Sequence, residues 1–348
     1  MSSDARLAQL RKVQTTISGM LTDGKCYEAI RLIFTIANRY ATSKAYDAAY
    51  ALSVDGALGL LAQGEASLGA QVGIHYLELL AKAKAEVTEA HVNTIKRVFA
   101  AFPADSVAAT DAAAGPVTSS AAAATVVRED QAVRFMRAAI KWALGASRDL
   151  AYTPFHFDSN TAFAEPRRAP VTPLDKAEQA LLPARALAPL YVALAAHLAR
   201  TQSFALASKA YFKAGAPAQH ALCLAAWAQT APAEERDLFL TRAVLQALAA
   251  GDAAHARALS KVYKAKFHDD SALAASPLTH FAEFFPVACE RGSQELYKML
   301  VTKYAVVLQR DAAFKELVNK AAGVYCGVQQ KKSMLEMMLG GGDNNARG

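Results

Sequence analysis

Residues 24–46 read GKCYEAIRLIFTIANRYATSKAY, and their pattern indicates the fold class most clearly. Its apolar residues follow the three- and four-residue spacing that gathers side chains on one face of an α-helix. They are Tyr27, Ile30, Ile33, Phe34, Ala37 and Tyr40. The onset Lys25-Cys26-Tyr27 has a counterpart in Lys44-Ala45-Tyr46. The stretch therefore predicts a helix, a turn and the start of another helix.

Helical spacing continues on both sides of this stretch. We predict further helices over about residues 5–21, Ser43–Leu61, Leu68–Ala83 and Asp130–Ser147, one ending before Pro103, and roughly seven from Ala184 onward. An aromatic residue followed by Ala one turn later lets neighbouring helices approach closely, as in tetratricopeptide-like (TPR-like) pairs. The repeat period along the sequence is not constant. The predicted fold class is therefore all-α, a degenerate TPR-like helical-hairpin solenoid (α-α superhelix).

Changes in composition predict the domain organisation. Residues 103–127 form an Ala/Pro/Ser-rich linker or insertion between N-terminal helical repeats at 1–102 and C-terminal repeats at 128–339. Residues 340–348 should be a disordered tail. The stretch 152–183 contains five prolines and cannot be a regular helix throughout. It is either a loop packed on the solenoid or a partner-binding loop.

The composition also favours a cytosolic protein. The N-terminus lacks the basic-then-apolar pattern of a signal peptide, and no apolar run is long enough to span a membrane. The four cysteines are far apart, as is typical where thiols stay reduced. A net charge of +7 over 348 residues permits an acidic partner but does not by itself indicate nucleic acid.

Motifs for catalysis are missing from the sequence. The eight histidines are not at metal-ligand spacing, no Gly-rich phosphate loop or GxSxG elbow occurs, and no pair of carboxylates suggests acid–base chemistry. We therefore expect no enzymatic activity, no catalytic residue, no metal and no cofactor.

Two surface patterns remain as candidate binding sites. Glu28, Arg31, Thr35, Asn38 and Arg39 fall within an arc of about 100° on a helical wheel. This polar stripe is either a solvated helix face or a basic docking face for an acidic protein. Near the C-terminus, methionines and leucines crowd residues 334–339, which either pack on the protein's own core or bind a partner.

Four segments, in order, resemble one known family, the α-solenoid scaffold subunit of the guided-entry (GET) pathway for tail-anchored proteins. Its animal counterpart belongs to the transmembrane-domain recognition complex. The first segment is Gly24–Ala29 with its continuation through Ile36–Tyr40 to Ser43–Tyr46. The other three are Ala233–Gln246, Ser276–Phe281 and Met334–Met338. The chain departs from the family at Ala186–Tyr191, where the family often has Gly-Asp-Pro followed by Leu-His.

This resemblance implies a curved superhelix without enzymatic activity that works in post-translational targeting to the endoplasmic reticulum. In that family the N-terminal helices bind the cytosolic targeting ATPase. The C-terminal half binds a ubiquitin-like-domain partner, which dimerises, giving two copies of each, and recruits the client-carrying co-chaperone. From the sequence itself we expect no nucleic acid partner and no direct membrane insertion.

The resemblance also places the binding sites. The ATPase face would comprise Tyr27, Arg31, Asn38, Arg39 and Lys44. The ubiquitin-like partner would bind near Phe281, Phe284, Phe285 and Tyr297, with Met334, Met337 and Met338 as a clamp.

Two other functions fit parts of the pattern. A solenoid subunit of a proteasome-lid-like, signalosome or coat assembly would also consist of degenerate helical pairs. A nucleic-acid binder would require basic clusters interleaved with aromatic residues along one surface, but the strongest basic cluster in the sequence is the pair Lys331-Lys332.

Overall fold

The computed structural model describes residues 3–103, 130–149 and 173–327. Within these ranges the chain forms α-helices and one short 3-10 helix, Ala233–Glu235, and no strand. The α-helices are α1 Ser3–Thr22, α2 Cys26–Thr42, α3 Tyr46–Ala62, α4 Ala66–Lys82, α5 Glu89–Ala100, α6 Gln131–Asp149, α7 Pro173–Ala186, α8 Ala188–Arg200, α9 Phe204–Ala214, α10 Pro217–Ala228, α11 Arg236–Ala249, α12 Ala253–Lys266, α13 Ser271–Ala275, α14 Pro277–Glu290, α15 Gln294–Lys303, α16 Ala305–Leu308 and α17 Ala312–Tyr325. The predicted all-α class is confirmed.

The chain divides into two compact units, the first comprising residues 1–161 with 186–203. In it each of the helices α1 to α3 packs on the next one, and alternate helices also touch: α1 contacts α3, α2 contacts α4, and α4 contacts α6. Packing in which each helix contacts its first and second neighbours is that of an α-solenoid. The helices α2, α4 and α6 thus lie side by side in one layer.

The first four helix ends use one repeated turn. Gly24, Lys44, Gly64 and Lys84 all have positive φ angles, of 75°, 58°, 80° and 53°. In each turn the amide of the following residue donates to a carbonyl five residues earlier, as Ala45 does to Tyr40, which is the Schellman arrangement. The turns recur every twenty residues, a regularity that the sequence pattern did not reveal because two of the four positions are lysine rather than glycine.

Glycines let the helices of the first unit approach closely. A Cβ atom added to Gly56 of α3 would lie 2.5 Å from Cδ1 of Ile33 on α2. One added to Gly73 of α4 would lie 2.9 Å from the ring of Phe135 on α6. Contacts this short leave no room for a side chain, so these glycines serve helix packing.

The second unit comprises residues 162–185 and 204–348, and α11 is at its centre, in contact with α10, α12, α14 and α17. Its core contains the fully buried aromatic side chains of Tyr263, Phe281, Phe285 and Phe314. The segment Ala233–Gln246, which carries part of the family resemblance, begins just before α11 and covers most of this helix.

Polar residues of that segment form hydrogen bonds to residues that are distant in sequence. The Asp237 carboxylate accepts hydrogen bonds from the Ser276 hydroxyl at 2.5 Å and from Arg310 at 2.6 Å. Arg236 donates to Asp270 at 2.8 Å, and Arg242 donates through two nitrogens to Asp311. The resemblance at these positions therefore reflects residues that stabilise the fold.

The boundaries of the two compact units differ from the boundaries of the predicted domains. The first unit continues past residue 102, because α6 packs on α4 and α5 and because α8 packs on α5 and α6. Within 152–183, the described part forms α7, with Pro183 inside it. Between residues 188 and 327, the last described residue, there are ten α-helices rather than roughly seven, including the short helices α13 and α16. Of the predicted linker at 103–127 only residue 103 is described, and the predicted tail at 340–348 lies outside the described residues.

Candidate functional site

The polar stripe on α2 is exposed to solvent. Arg31, Thr35, Asn38 and Arg39 are all exposed, whereas Ala29, Ile33 and Ala37 on the opposite side are fully buried. Tyr27, one turn before Arg31, is 74% exposed, which is unusual for a large aromatic residue. The prediction that α2 has one buried and one exposed polar face is confirmed.

Lys44 lies next to this stripe, in the turn between α2 and α3 rather than inside α3 as the sequence suggested. Its φ of 58° lies in the left-handed region, and its side chain is exposed. We define the basic face as Tyr27, Arg31, Asn38, Arg39 and Lys44. Among the described residues, no carboxylate lies within 4.0 Å of the charged groups of Arg31, Arg39 or Lys44.

A contact with α4 fixes the middle of the basic face. His75 of α4 lies with Nε2 3.3 Å from Oδ1 of Asn38, and its ring packs 4.7 Å from the ring of Phe34. Burial lowers the pKa of His75 below its ordinary value, so the ring is neutral near pH 7. Asn38 is therefore positioned by a neutral donor.

Two residues of the predicted partner groove in the second unit belong to the core. Phe281 and Phe285 are fully buried and stack with ring centroids 4.8 Å apart, so neither can contact a partner directly. Phe284 of the same helix is 53% exposed. Tyr297 is half-buried beside Phe285 and donates its hydroxyl to Asn319 at 3.3 Å. Met334, Met337 and Met338 lie outside the described residues.

A buried hydrogen-bonded chain in the second unit escaped the sequence analysis. The Ser208 hydroxyl lies 2.7 Å from Nε2 of His220, and Nδ1 of His220 lies 2.9 Å from Nε2 of His255. Beyond His255 is Asp252, which is paired with Arg185. The order resembles a catalytic relay, but Ser208, His220 and His255 are each at most 8% exposed, so a substrate cannot reach the serine. The chain joins α9, α10 and α12.

These two histidines should make the second unit sensitive to acid. Burial, followed by the neighbouring His255, lowers the pKa of His220 from 6.5 to about 3. Burial also lowers the pKa of His255 to about 4, although Asp252 opposes the shift. Below pH ~6.5 these histidines bind protons in the unfolded chain but not in the folded chain. The free energy of unfolding therefore decreases as the pH is lowered, by up to about 1.4 kcal/mol per pH unit for each histidine.

Urea unfolding followed from about pH 7 down to about pH 5 measures this effect. The double variant His220→Gln with His255→Gln keeps hydrogen-bonding groups but has no imidazole to protonate, so its stability should change less over the same range. Equal pH dependence in the variant and the wild type would contradict the account.

Comparison with known proteins decides the family. The family model described as "Golgi to ER traffic protein 4" matches residues 43–158 and 186–341, well over half of the chain. The chain belongs to this family. The Golgi to ER traffic protein 4 (Get4) family takes part in the GET pathway, which targets tail-anchored proteins to the endoplasmic reticulum membrane.

Similarity to Get4 relatives extends over the whole chain. It is 24% identical to "Protein GET4" of Arabidopsis thaliana over 349 aligned residues, covering 97% of each protein. It is 22% identical to the "Golgi to ER traffic protein 4 homolog" of Homo sapiens, covering 93% of this chain and 82% of the human protein. The crystal structure of "C. therm. Get4" superposes with a TM-score of 0.70 at 15% identity, covering 96% and 95% of the two chains, which confirms the solenoid fold.

Among the residues that the structure describes, no helix combines the length and the apolar character needed to cross a bilayer. The basic face and the surface around Phe284 are the two candidate partner-binding surfaces of this chain. They lie on different compact units.

Proposed function

We propose that this chain is a non-enzymatic cytosolic scaffold that bridges two proteins of the GET pathway. One is the targeting ATPase, which binds the basic face of the first unit. The other is the ubiquitin-like-domain partner, which binds the second unit and recruits the client-carrying co-chaperone. The observation that carries the proposal is the basic face itself, an exposed stripe whose cations have no carboxylate partner among the described residues.

The composition of the basic face suits docking to an acidic protein. Arg31 and Arg39 lie two helical turns apart, and Lys44 follows at the end of the helix, so the three cations form a row. Exposed Tyr27 adds apolar area beside them, and tyrosine and arginine are the residues enriched at protein interfaces. Because these cations have no carboxylate partner among the described residues, no ion pair within the protein has to be broken when a partner binds. This favours a partner that supplies carboxylates.

For the second partner we propose a surface on α14 centred on Phe284, together with the half-buried Tyr297, whose ring packs against Phe285. Phe281 and Phe285 support this surface from the core rather than contacting the partner. An aromatic side chain that is half exposed can bury its remaining area on binding, which is typical of interface anchors. Dimerisation of the partner would give an assembly with two copies of each chain.

The variant Phe284→Asp tests this second surface in the full-length protein. Burying the exposed half of a phenylalanine side chain is worth about 1–2 kcal/mol, and a carboxylate in its place adds a desolvation cost, so affinity for the ubiquitin-like partner should fall at least ~10-fold. Titration calorimetry measures it, and binding to the targeting ATPase should not change.

Val306→Asp is the matched control, because Val306 is 80% exposed in the same unit. Both variants should keep the wild-type circular dichroism spectrum. If Phe284→Asp binds the partner as well as Val306→Asp does, the partner does not bind at this surface.

A further inference from the structure

A second row of cations lies on α6. Arg134, Arg137 and Lys141 are exposed at intervals of three and four residues, so they share one face of the helix. The opposite face is buried, with Ala132, Phe135, Met136 and Ala139 all at 0% exposure. Arginine and lysine side chains therefore dominate the exposed face of α6 between residues 134 and 141, where no acidic residue occurs.

The packing of the first unit places this row beside the basic face. His75 of α4 contacts Asn38 of α2, and Gly73 of α4 lets the ring of Phe135 on α6 approach closely. Neighbouring helices are about 8–10 Å apart, so α2 and α6 are separated by roughly 20 Å. A typical interface buries about 800 Å² on each partner, a patch roughly 28 Å wide. One partner surface can therefore cover all three helices.

The combined surface is strongly cationic. Among the side chains of α2, α4 and α6 whose burial the structure describes, six cationic residues are exposed and only two acidic ones, Glu28 and Glu78. The cationic residues are Arg31, Arg39, Lys82, Arg134, Arg137 and Lys141. We propose that the acidic surface of the ATPase that docks on α2 extends over α4 onto α6, where Arg134 and Lys141 bind its carboxylates. This inference rests on the proposed function and extends that docking site from one helix to three.

The surface fits an acidic protein better than a membrane or a nucleic acid. None of the large apolar side chains that are exposed belongs to α4 or α6, so these helices have nothing to insert into a bilayer and no exposed aromatic ring for stacking on bases. Neutral groups such as Thr35, Asn38 and Gln71 add hydrogen-bonding capacity, which a protein surface can use.

The test compares three full-length double variants for binding to the targeting ATPase, measured by surface plasmon resonance at low and high salt. Arg134→Glu with Lys141→Glu changes the α6 row, and Arg39→Glu with Lys44→Glu changes the basic face. Lys298→Glu with Lys315→Glu is the matched control, because it makes the same change in charge at exposed positions of the second unit. Thermal unfolding checks that all three stay folded.

We expect the α6 variant to bind the ATPase at least ~10-fold more weakly at low salt, mainly through a slower association rate, with the control within about twofold of wild type. If the α6 variant binds the ATPase as well as the control does while the basic-face variant loses ATPase binding, the extension to α6 is wrong and the proposed function stands. If all three bind as the wild type does, both are wrong.

Vesicles containing phosphatidylserine provide a second arm of the test. The inference would be overturned if the wild type binds these vesicles, the α6 variant does not, and the α6 variant still binds the ATPase normally. The cationic row on α6 would then be a membrane contact.

Discussion

Replacing Ile33 by Asp is expected to unfold the first compact unit. Ile33 is fully buried on α2 and fits against Gly56 of α3, with no room for a water shell around a carboxylate. Burying an uncompensated charge costs several kcal/mol, and the lost apolar packing adds about 2–4 kcal/mol. The sum approaches the whole stability of a typical domain, about 5–15 kcal/mol.

Urea unfolding monitored by circular dichroism measures this loss. The control Ile33→Val removes one methylene group and should cost only about 1 kcal/mol. ATPase binding should disappear with the aspartate variant because the basic face lies on the same helix. An aspartate variant as stable as the valine control would show that this face of α2 is not buried and would overturn the helix-layer description.

Local sequence patterns were sufficient for the helices of the first unit. The apolar spacing in residues 24–46 predicted both the buried side of α2 around Ile33 and the exposed stripe around Arg31, because a helix repeats every 3.6 residues. The helix boundaries were less accurate. Lys44 belongs to a turn in which a lysine adopts the left-handed conformation that glycine adopts at Gly24 and Gly64. Residue type alone cannot signal that exception.

The candidate groove shows where reasoning from the sequence failed. Phe281, Phe284 and Phe285 are close in sequence and were grouped as one surface, but Phe281 and Phe285 are one turn apart and therefore share the buried face of α14. Phe284 is rotated by about 100° from Phe285 and reaches solvent. The helical wheel could have separated them, but only the packing of α14 on α11 determines which side is buried.

Long-range polar contacts could not be predicted from the sequence. Asp237 and Arg310 are 73 residues apart, and His220 and His255 are 35 residues apart. Neither pair shows a local spacing pattern, because the helices that carry them meet only through tertiary packing. Asp237 and the Ser276 that it contacts both belong to segments that resemble the family, and their structural role became visible only in the folded chain.

Cations of the basic face bind the targeting ATPase in the proposed function, and reversing the charges of Arg39 and Lys44 together tests this role. Both side chains are exposed, so Arg39→Glu with Lys44→Glu should leave the melting temperature close to wild type. Each reversal removes an attraction and adds a repulsion from the acidic partner. Together they should weaken binding about 100-fold or more, roughly 1.4 kcal/mol for each residue.

Lys44→Gly separates charge from backbone strain at the same position. Glycine adopts the left-handed conformation without the steric cost that lysine pays, so this variant should be more stable than wild type by up to about 1 kcal/mol. It also lacks the positive charge. We therefore expect Lys44→Gly to bind the ATPase more weakly although it is the more stable protein.

The most direct measurement is the dissociation constant of the full-length protein and the targeting ATPase at low salt, for the wild type and for Arg39→Glu with Lys44→Glu. We expect wild-type binding that weakens as salt rises, because salt screens exposed charges, and a double variant that binds about 100-fold more weakly while remaining folded. A folded double variant that binds like the wild type at low salt would show that the basic face is only a solvated helix surface.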